Sequence, residues 1–151
     1  MATQSFMGRI TESGTGASIE IPFDPDEIWG AKDRHYVSGS IDGFKIRGCL
    51  DEEGNQLALP LGPAWLRDNP VAVGAEVEVV LAPDGHLAEN VAPDIGAALN
   101  AEPQARTFFE SVAPFYRNNY IRWIESAKRP ETRASRIKEM MELLKARQKQ
   151  K

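Results

Sequence analysis

The chain has 151 residues and a mass of 16.7 kDa, with 42% hydrophobic and 26% charged residues, which is typical of a globular protein and excludes a disordered one. The net charge is −4, but residues 1–90 carry 15 acidic and 6 basic residues, whereas residues 91–151 carry 7 and 12. A single cysteine, Cys49, excludes an internal disulfide and a cysteine-based metal site.

The N-terminal stretch MATQSFMGRI lacks an apolar run of signal-peptide length. No segment approaches the ~20 apolar residues that a membrane-spanning helix needs. We therefore expect a soluble, cytoplasmic protein without membrane insertion.

Residues 1–90 show the alternation of apolar and polar positions that half-buried strands produce. The apolar positions of three such runs are Phe6, Gly8 and Ile10, then Ile19, Ile21 and Phe23, then Val77, Val79 and Leu81. Turn signals separate the runs at residues 13–16, 53–55 and 83–85, and short helical turns are predicted at 25–30 and 64–68. Several short strands without a long helix predict a small antiparallel β-barrel.

The clearest element is the hairpin in RHYVSGSIDGFKIRGCL, residues 34–50. Asp42-Gly43 is a strong signal for a type I′ turn, because both central positions of that turn need a positive φ. The turn fixes the register. On the apolar face it pairs Ile41 with Phe44, Gly39 with Ile46, Val37 with Gly48 and His35 with Leu50. On the polar face it pairs Ser40 with Lys45, Ser38 with Arg47 and Tyr36 with Cys49.

The polar hairpin face offers three candidate ligand-binding residues, Ser38, Lys45 and Arg47. If this face lines the interior or mouth of the barrel, its hydroxyl and cations suit a small anionic ligand. The alternative is an ordinary solvent-exposed face.

The character of the chain changes after Ala92. Asp94 is expected to cap a helix that runs through Leu99, and Pro103, Pro114 and Pro130 begin three further segments, since proline is tolerated in a first helical turn. Apolar stripes at helical spacing comprise Tyr116, Tyr120, Trp123, Ile124 and Ala127, then Ala134, Ile137, Met141 and Leu144. The chain is therefore predicted to be α+β, with a small barrel over residues 1–90 and a helical domain of three to four short helices over 91–151.

Two further expectations concern the ends of this helical domain. Residues 148–151 are expected to fray. The linker at residues 88–94 is short and the two domains carry opposite net charges, so we expect the domains to touch.

The helical stretch AALNAEPQARTFFESVAPFYRNNYIRWIESAKRPETRASRI resembles the bacterial YdeI/OmpD-associated family, also called the bacteriocin-protection family. The residues that carry the resemblance are Tyr120, Trp123, Ala127, Lys128, Glu131, Thr132, Arg133, Arg136 and Ile137. The stretches IPFDPDEIWG, VSGSIDGFKIRGCL and GAEVEVVLAPD resemble the small β-barrel domain of unknown function that often precedes it. The resemblance implies a link to envelope stress and antimicrobial peptide tolerance, and it implies no particular enzymatic activity.

Arginines supply the other candidate ligand-binding residues. Arg133 and Arg136 lie three residues apart, and Arg117 precedes Tyr120 by three. If the helices pack antiparallel, these guanidinium groups can converge on one anion, which arginine binds well through two parallel hydrogen bonds. The candidates in the helical domain are Arg117, Tyr120, Trp123, Lys128, Thr132, Arg133 and Arg136. In the alternative, the aromatic rings pack in the core and the cations pair with carboxylates or face water.

Signals for catalysis are weak, so no catalytic, cofactor-binding or metal-ligating residue is proposed. His35 and His86 lack the spacing of a metal site, and His35 falls on the apolar hairpin face, where a hydrogen-bonded core histidine is expected. The chain has no nucleophile elbow, P-loop or dinucleotide-binding glycine motif. Lys45 and Arg47 flank Cys49 and would activate an exposed thiol, but a structural cysteine is expected.

The favoured hypothesis is a non-enzymatic module that binds an unknown small anion or a protein partner and acts in stress tolerance. A second hypothesis is nucleic-acid binding through the basic residues 126–151, which carry 9 Lys and Arg against 3 Asp and Glu. A third is an enzyme that acts on a small anionic substrate held between barrel and helices.

Overall fold

A computed structural model describes residues 3–14, 16–53 and 55–148. The chain forms two compact units, Met1–Asp84 and Gly85–Lys151, called here the β unit and the helical unit. Residues 85–90, which the sequence grouped with the strands, belong to the helical unit. Within the described part of the chain, every helix is too short or too polar to cross a membrane.

The strands are β1 (Gln4–Arg9), β2 (Thr11–Ser13), β3 (Gly16–Glu20), β4 (Tyr36–Ile41), β5 (Phe44–Cys49), β6 (Asp51–Glu53), β7 (Gln56–Leu61) and β8 (Glu76–Pro83). The helices are α1 (Pro25–Trp29), α2 (Pro63–Asp68), α3 (Pro93–Ala101), α4 (Pro103–Ser111), α5 (Pro114–Glu125) and α6 (Pro130–Lys145). The α+β class predicted from the sequence is confirmed.

The strands of the β unit form two four-stranded antiparallel sheets. Sheet A has the order β1-β8-β4-β5, and sheet B has the order β2-β3-β7-β6. A single residue, Ile10, separates β1 from β2, and a single residue, Leu50, separates β5 from β6. The chain therefore passes from one sheet to the other at two corners. Among the described residues the strands form these two sheets and not the one continuous closed sheet that the predicted barrel implies.

One apolar core lies between the two sheets. Its buried members are Ile10, Ala17, Ile19, Ile21, Trp29, Val37, Ile41, Ile46, Leu50, Leu59, Leu61, Val77, Val79 and Leu81. Most follow the predicted alternation, because successive side chains of a strand point to opposite faces. Ser18 is an exception: it lies on the polar face of β3 yet is only 1% exposed. Its hydroxyl donates a hydrogen bond of 2.8 Å to Oε2 of Glu53.

The hairpin of β4 and β5 has the predicted register at every paired position, from Ile41 with Phe44 to Tyr36 with Cys49. Asp42 and Gly43 have φ values of 51° and 85°, which are the positive values of a type I′ turn. The turn is also bonded to β8, because Asp42 Oδ1 accepts a hydrogen bond of 2.7 Å from the Glu78 amide. The predicted turns at residues 13–16 and 53–55 include Thr15 and Gly54, which lie outside the described residues.

The helical unit has its own core, formed by Ile95, Leu99, Ala105, Phe109, Tyr120, Ile121, Ile124, Met140, Met141 and Leu144. On α5 the buried residues are Arg117, Tyr120, Ile121 and Ile124. The predicted stripe is confirmed at Tyr120 and Ile124, and its Trp123 is partly buried against the core, but the burial of Arg117 and Ile121 was not predicted. A pattern of apolar residues could not reveal the burial of Arg117, because this residue is charged. On α6, Ala134 is exposed, contrary to prediction.

Two details at the ends of the helices also differ from expectation. Asp94 lies inside the first turn of α3, and the N-cap is Ala92. Of the end expected to fray, Gln148 donates a backbone hydrogen bond to Leu143, whereas residues 149–151 lie outside the described residues.

Gly39 provides a test of the β unit. A Cβ atom at this position would lie 1.7 Å from the carbonyl oxygen of Val80 on the neighbouring strand. Gly39→Ala is expected to lower the free energy of unfolding by at least about 3 kcal/mol, because backbone atoms must move to admit the methyl group. Urea denaturation measures the change.

The matched control is Gly62→Ala, since a Cβ atom at Gly62 meets nothing within 4 Å. This variant should stay within about 1 kcal/mol of the wild type. Equal stability of the two variants would contradict the packing described for Gly39.

Candidate functional site

Arg117, the first candidate of the helical unit, is a core residue. It is 1% exposed. Its Nε donates to the Val112 carbonyl and its Nη1 to the His86 carbonyl, both at 3.0 Å. Glu110 bonds to the same preceding segment, because its Oε2 accepts a hydrogen bond of 2.8 Å from the Ala88 amide. Two charged side chains therefore connect residues 85–92 to the helices.

The aromatic candidates also belong to this core. Tyr120 is buried, and its hydroxyl donates a hydrogen bond of 2.7 Å to the Gln148 carbonyl. Burial raises the pKa of Tyr120 to about 12, because a phenolate would lose its hydration. Trp123 is partly buried against the same core.

Arg136 joins α6 to the end of α5. Its Nη1 donates to the Trp123 carbonyl at 2.7 Å and to Ser126 Oγ at 2.9 Å. The guanidinium also lies over the Trp123 ring, 5.4 Å from its centre, which is within the range of a cation–π interaction. Residues 120–137, YIRWIESAKRPETRASRI, thus contain the end of α5, the connection and the first half of α6. Arg136 of α6 bonds to the end of α5 and stabilises this connection.

Arg133 makes an ion pair with Asp94 on α3. Its Nε and Nη2 donate to the two carboxylate oxygens at 2.6 and 3.0 Å. The Arg133 guanidinium lowers the pKa of Asp94, and the partial burial of the carboxyl opposes this effect. Thr132 beside it is half-buried and Lys128 is exposed.

The three candidate arginines, Arg117, Arg133 and Arg136, are thus bonded to three different sets of acceptors. These contacts do not bring them together around one open position. Whether these residues bind a ligand is not tested by these contacts, so their role remains a prediction.

The polar hairpin face lies on the outside of sheet A, since Val37, Ile41 and Ile46 of the opposite face fill the core. Its candidates Ser38 and Arg47 are cross-strand partners, and Lys45 is exposed. Arg47 donates two hydrogen bonds, of 2.9 and 2.8 Å, to Oδ2 of Asp84. This face does not line the interior between the sheets, and the binding of a ligand by Ser38, Lys45 and Arg47 stays a prediction.

Cys49 and His35 occupy structural positions. The Cys49 thiol is half-buried, and desolvation raises its pKa, which disfavours the reactive thiolate. His35 is buried against Trp29, and its Nε2 lies 2.5 Å from Oδ1 of Asp26. The hydrogen bond to His35 lowers the pKa of Asp26. The prediction of a hydrogen-bonded core histidine is confirmed.

The helical unit contains a cavity that the sequence did not indicate, here called the α4–α6 cavity. Its volume is about 350 Å³, and its lining residues are Glu102, Gln104, Ala105, Leu144, Lys145 and Arg147. Lys145 Nζ lies 3.0 Å from Oε1 of Glu102, and the Arg147 guanidinium lies 4.7 Å above the ring centre of Phe108. Sequence patterns could not find this site, because its two halves lie about forty residues apart.

Sheet B presents a second feature that no motif indicated. Its strands carry five carboxylates and no lysine or arginine. All five are exposed: Glu12, Glu20, Asp51, Glu52 and Glu53. None of them forms an ion pair with another described residue, and Glu53 accepts hydrogen bonds from the Ser13 and Ser18 hydroxyls at 2.7 and 2.8 Å. These two bonds lower the pKa of Glu53, so it remains ionised.

Each of the two units matches a known protein family. The family described as a domain of unknown function (DUF1905) matches residues 6–81, just over half of the chain. The chain belongs to the DUF1905 family. The family described as Bacteriocin-protection, YdeI or OmpD-Associated (OmdA) matches residues 90–147. Both resemblances drawn from the sequence are confirmed.

The OmdA match covers α3 to α6 and so contains the α4–α6 cavity, whereas the DUF1905 match contains sheet B. No curated protein matches the chain with significant similarity. The described residues of the two domains contain no group of three histidine, cysteine or acidic residues arranged to hold a metal ion.

Arg117→Lys tests the structural role of the buried guanidinium. The variant should lower the free energy of unfolding by about 2 kcal/mol or more, because a lysine cannot reproduce two hydrogen bonds that diverge to separate carbonyls. Arg122→Lys, at an exposed position of the same helix, should change it by less than about 0.5 kcal/mol. Chemical denaturation measures the free energy of unfolding of both variants. Equal values would show that the guanidinium of Arg117 is not needed for the stability of the fold.

Asp94→Asn tests the ion pair with Arg133. At pH 7 the loss should be below about 1 kcal/mol, because the Asp94 side chain is 48% exposed and solvent screens the pair. The folded-state pKa of Asp94 is lowered, so its stabilisation is complete above the unfolded value of about 3.9 and is lost as the pH falls through the folded value. Urea titrations at pH 7 and pH 3 should therefore show a smaller difference between variant and wild type at pH 3. A pH-independent difference would rule out the charged pair as its cause.

Proposed function

We propose that the protein is a non-enzymatic binding module with a role related to bacteriocin protection, and that sheet B recognises a basic segment of a protein partner. The family description of residues 90–147 supports the coarse role. The observation that carries the finer proposal is the charge of sheet B, whose strands hold five exposed carboxylates and no basic residue.

Sheet A provides the contrast. Its strands hold three basic residues, Arg9, Lys45 and Arg47, and two acidic ones, Glu76 and Glu78. Arg9 and Arg47 make ion pairs with Glu76 and Asp84. Two of the three basic residues of sheet A are thus paired within the unit, whereas the carboxylates of sheet B are available to attract an external cation.

The spacing on sheet B suits a regular basic segment. Glu20 and Asp51 both pair with Ala58 and flank it on one face. Two strand spacings separate them by about 10 Å, close to two turns of an α-helix, about 11 Å. Lysines or arginines two turns apart on one helix can therefore meet both carboxylates. Such complementarity supplies mainly specificity and rate of association.

The basic residues of the helical unit are less available than its net charge suggests. Those that make contacts within the unit are Arg106, Arg117, Arg133, Arg136, Lys145 and Arg147. This internal use supports a protein partner over nucleic acid, although Arg122, Lys128, Arg129 and Lys138 are exposed. Nucleic-acid binding is therefore retained as an alternative in the experiment below.

The test is binding of a synthetic amphipathic peptide rich in lysine and arginine, measured by calorimetry at low and at physiological salt. Its counterpart with glutamate in place of the basic residues should not bind. The double variant Glu20→Gln, Asp51→Asn should weaken binding about tenfold, since each lost contact contributes somewhat under 1 kcal/mol. Affinity should also fall as salt rises.

The matched control is the double variant Glu76→Gln, Glu78→Gln, which removes two carboxylates from sheet A and should leave the affinity almost unchanged. If both double variants weakened peptide binding equally, the net charge of the protein would explain the effect, and the proposal for sheet B would be wrong. Salt-sensitive binding of an oligonucleotide, without binding of the basic peptide, would favour the nucleic-acid alternative.

A further inference from the structure

We infer that the β unit consists of two copies of one motif, and that each copy presents a surface whose partner is a second copy of the same motif. Repeat 1 comprises residues 4–41 and repeat 2 comprises residues 44–81. Adding 40 to a residue number in repeat 1 gives its counterpart in repeat 2. The inference rests on the pairing of the strands, and it does not depend on the role proposed for sheet B.

The strands of the two repeats follow the same order at the same spacing. Each repeat has two strands separated by one residue, a third strand, a short helix and a fourth strand. The first residues of corresponding strands are Gln4 and Phe44, Thr11 and Asp51, Gly16 and Gln56, and Tyr36 and Glu76. The helices α1 and α2 depart from this spacing, since they begin at Pro25 and Pro63. The repeats therefore agree in every strand and differ most in the helix.

The registers of the strand pairs repeat as well. β1 pairs with β8 at six positions, with Gln4 opposite Leu81 at one end. The corresponding strands β5 and β4 pair at the six corresponding positions, with Phe44 opposite Ile41. The three pairs between β2 and β3 recur between β6 and β7. Because a slip by one residue turns every side chain to the other face, this agreement means that counterparts face the same side of their sheets.

A two-fold axis relates the two repeats. β3 and β7 pair antiparallel, with Ile19 opposite its own counterpart Leu59. β4 and β8 also pair antiparallel, with Ser40 opposite its own counterpart Val80. Pairing of a residue with its counterpart in antiparallel strands is the arrangement that a rotation by 180° produces, as in a symmetric dimer. Of the six strand pairs that the described residues form, four join one repeat to the other.

Hydrogen bonds at the two corners obey the same relation. The amide of Ile10 donates to the Ala75 carbonyl at 3.0 Å. The amide of its counterpart Leu50 donates at 2.9 Å to the carbonyl of His35, which is the counterpart of Ala75. Both corners therefore form in the same way, each with a bond from one repeat to the other.

The core of the β unit shows the same equivalence. Ten of its fourteen buried residues are five pairs of counterparts: Ile10 and Leu50, Ile19 and Leu59, Ile21 and Leu61, Val37 and Val77, and Ile41 and Leu81. A Cβ atom at Gly8 would lie 2.7 Å from Cγ2 of Ile19, and one at Gly48 would lie 3.1 Å from Cδ1 of Leu59. Each repeat thus has a glycine at the same position, facing the same core residue.

The two repeats have diverged too far in sequence for the pattern to be visible without the structure. Four of the 38 pairs of counterparts are identical: Gly8 and Gly48, Glu12 and Glu52, Gly14 and Gly54, and Val37 and Val77. Most core pairs exchange isoleucine for leucine, which keeps the buried volume. The largest differences are Trp29, whose counterpart is Asn69, and Gly39, whose counterpart is Val79.

The test is a full-length variant in which residues 44–81 are replaced by a second copy of residues 4–41, with the rest of the chain unchanged. It should keep the fold of the β unit with a lower melting temperature. Because its halves are identical, the amide NMR resonances of counterparts should nearly coincide, which halves the number of distinct signals from the repeats. A second version keeps Val79, so that the loss of this buried side chain is not a cause of unfolding.

The matched control inserts residues 5–42 at the same place. Its composition is almost the same, but every counterpart is moved by one position, which turns the core residues to the outer face. The control should lose the dispersed signals of the β unit. Loss of the β fold in both versions of the variant, or its retention in the control, would overturn the inference. A folded variant whose counterpart resonances stay as far apart as in the wild type would rule out the two-fold relation.

Discussion

The structure of the helical unit depends on a charged residue, Arg117, in its core, at a position where an apolar residue would be expected. Arg117 lies in the middle of the buried face of α5 and donates to carbonyls of Val112 and His86. Burying a guanidinium is costly unless its donors are satisfied. The end of α4 and the segment that precedes α3 must therefore both be in place before the core can close. This requirement explains why the compact unit begins at Gly85, ahead of the matched family region.

The same principle governs most of the basic residues in this unit. Arg133 bonds to Asp94 at the start of α3, and Lys145 bonds to Glu102 after its end, so α6 is tied to both ends of α3. Arg136 bonds to the last turn of α5. The excess of positive charge in the second half of the chain therefore serves packing as much as recognition. The excess of negative charge in the β unit is distributed differently, with the carboxylates of sheet B exposed and unpaired among the described residues.

The two units thus present surfaces of two kinds. Sheet B presents an extended acidic surface, whose interactions are long-ranged and weakened by salt. The α4–α6 cavity is a small pocket at the surface of the helical unit, lined by the buried Ala105 and Leu144 and by exposed polar and charged side chains.

The sequence by itself determined the elements whose information is local. Asp42-Gly43 specified its turn, and the turn specified every pair of the β4–β5 hairpin, because neighbouring residues set φ and the alternation of faces. The sequence also predicted that helices begin at Pro103, Pro114 and Pro130, and it indicated both families.

Only the tertiary structure decided which charged residues are buried and which surfaces remain open. The carbonyl of His86 that Arg117 binds is distant in the chain, as are the two halves of the α4–α6 cavity. Sheet A likewise pairs the first strand, β1, with the last, β8. The energy of a buried charge or of a cavity depends on these distant partners, and the spacing of residues within one segment carries no record of them.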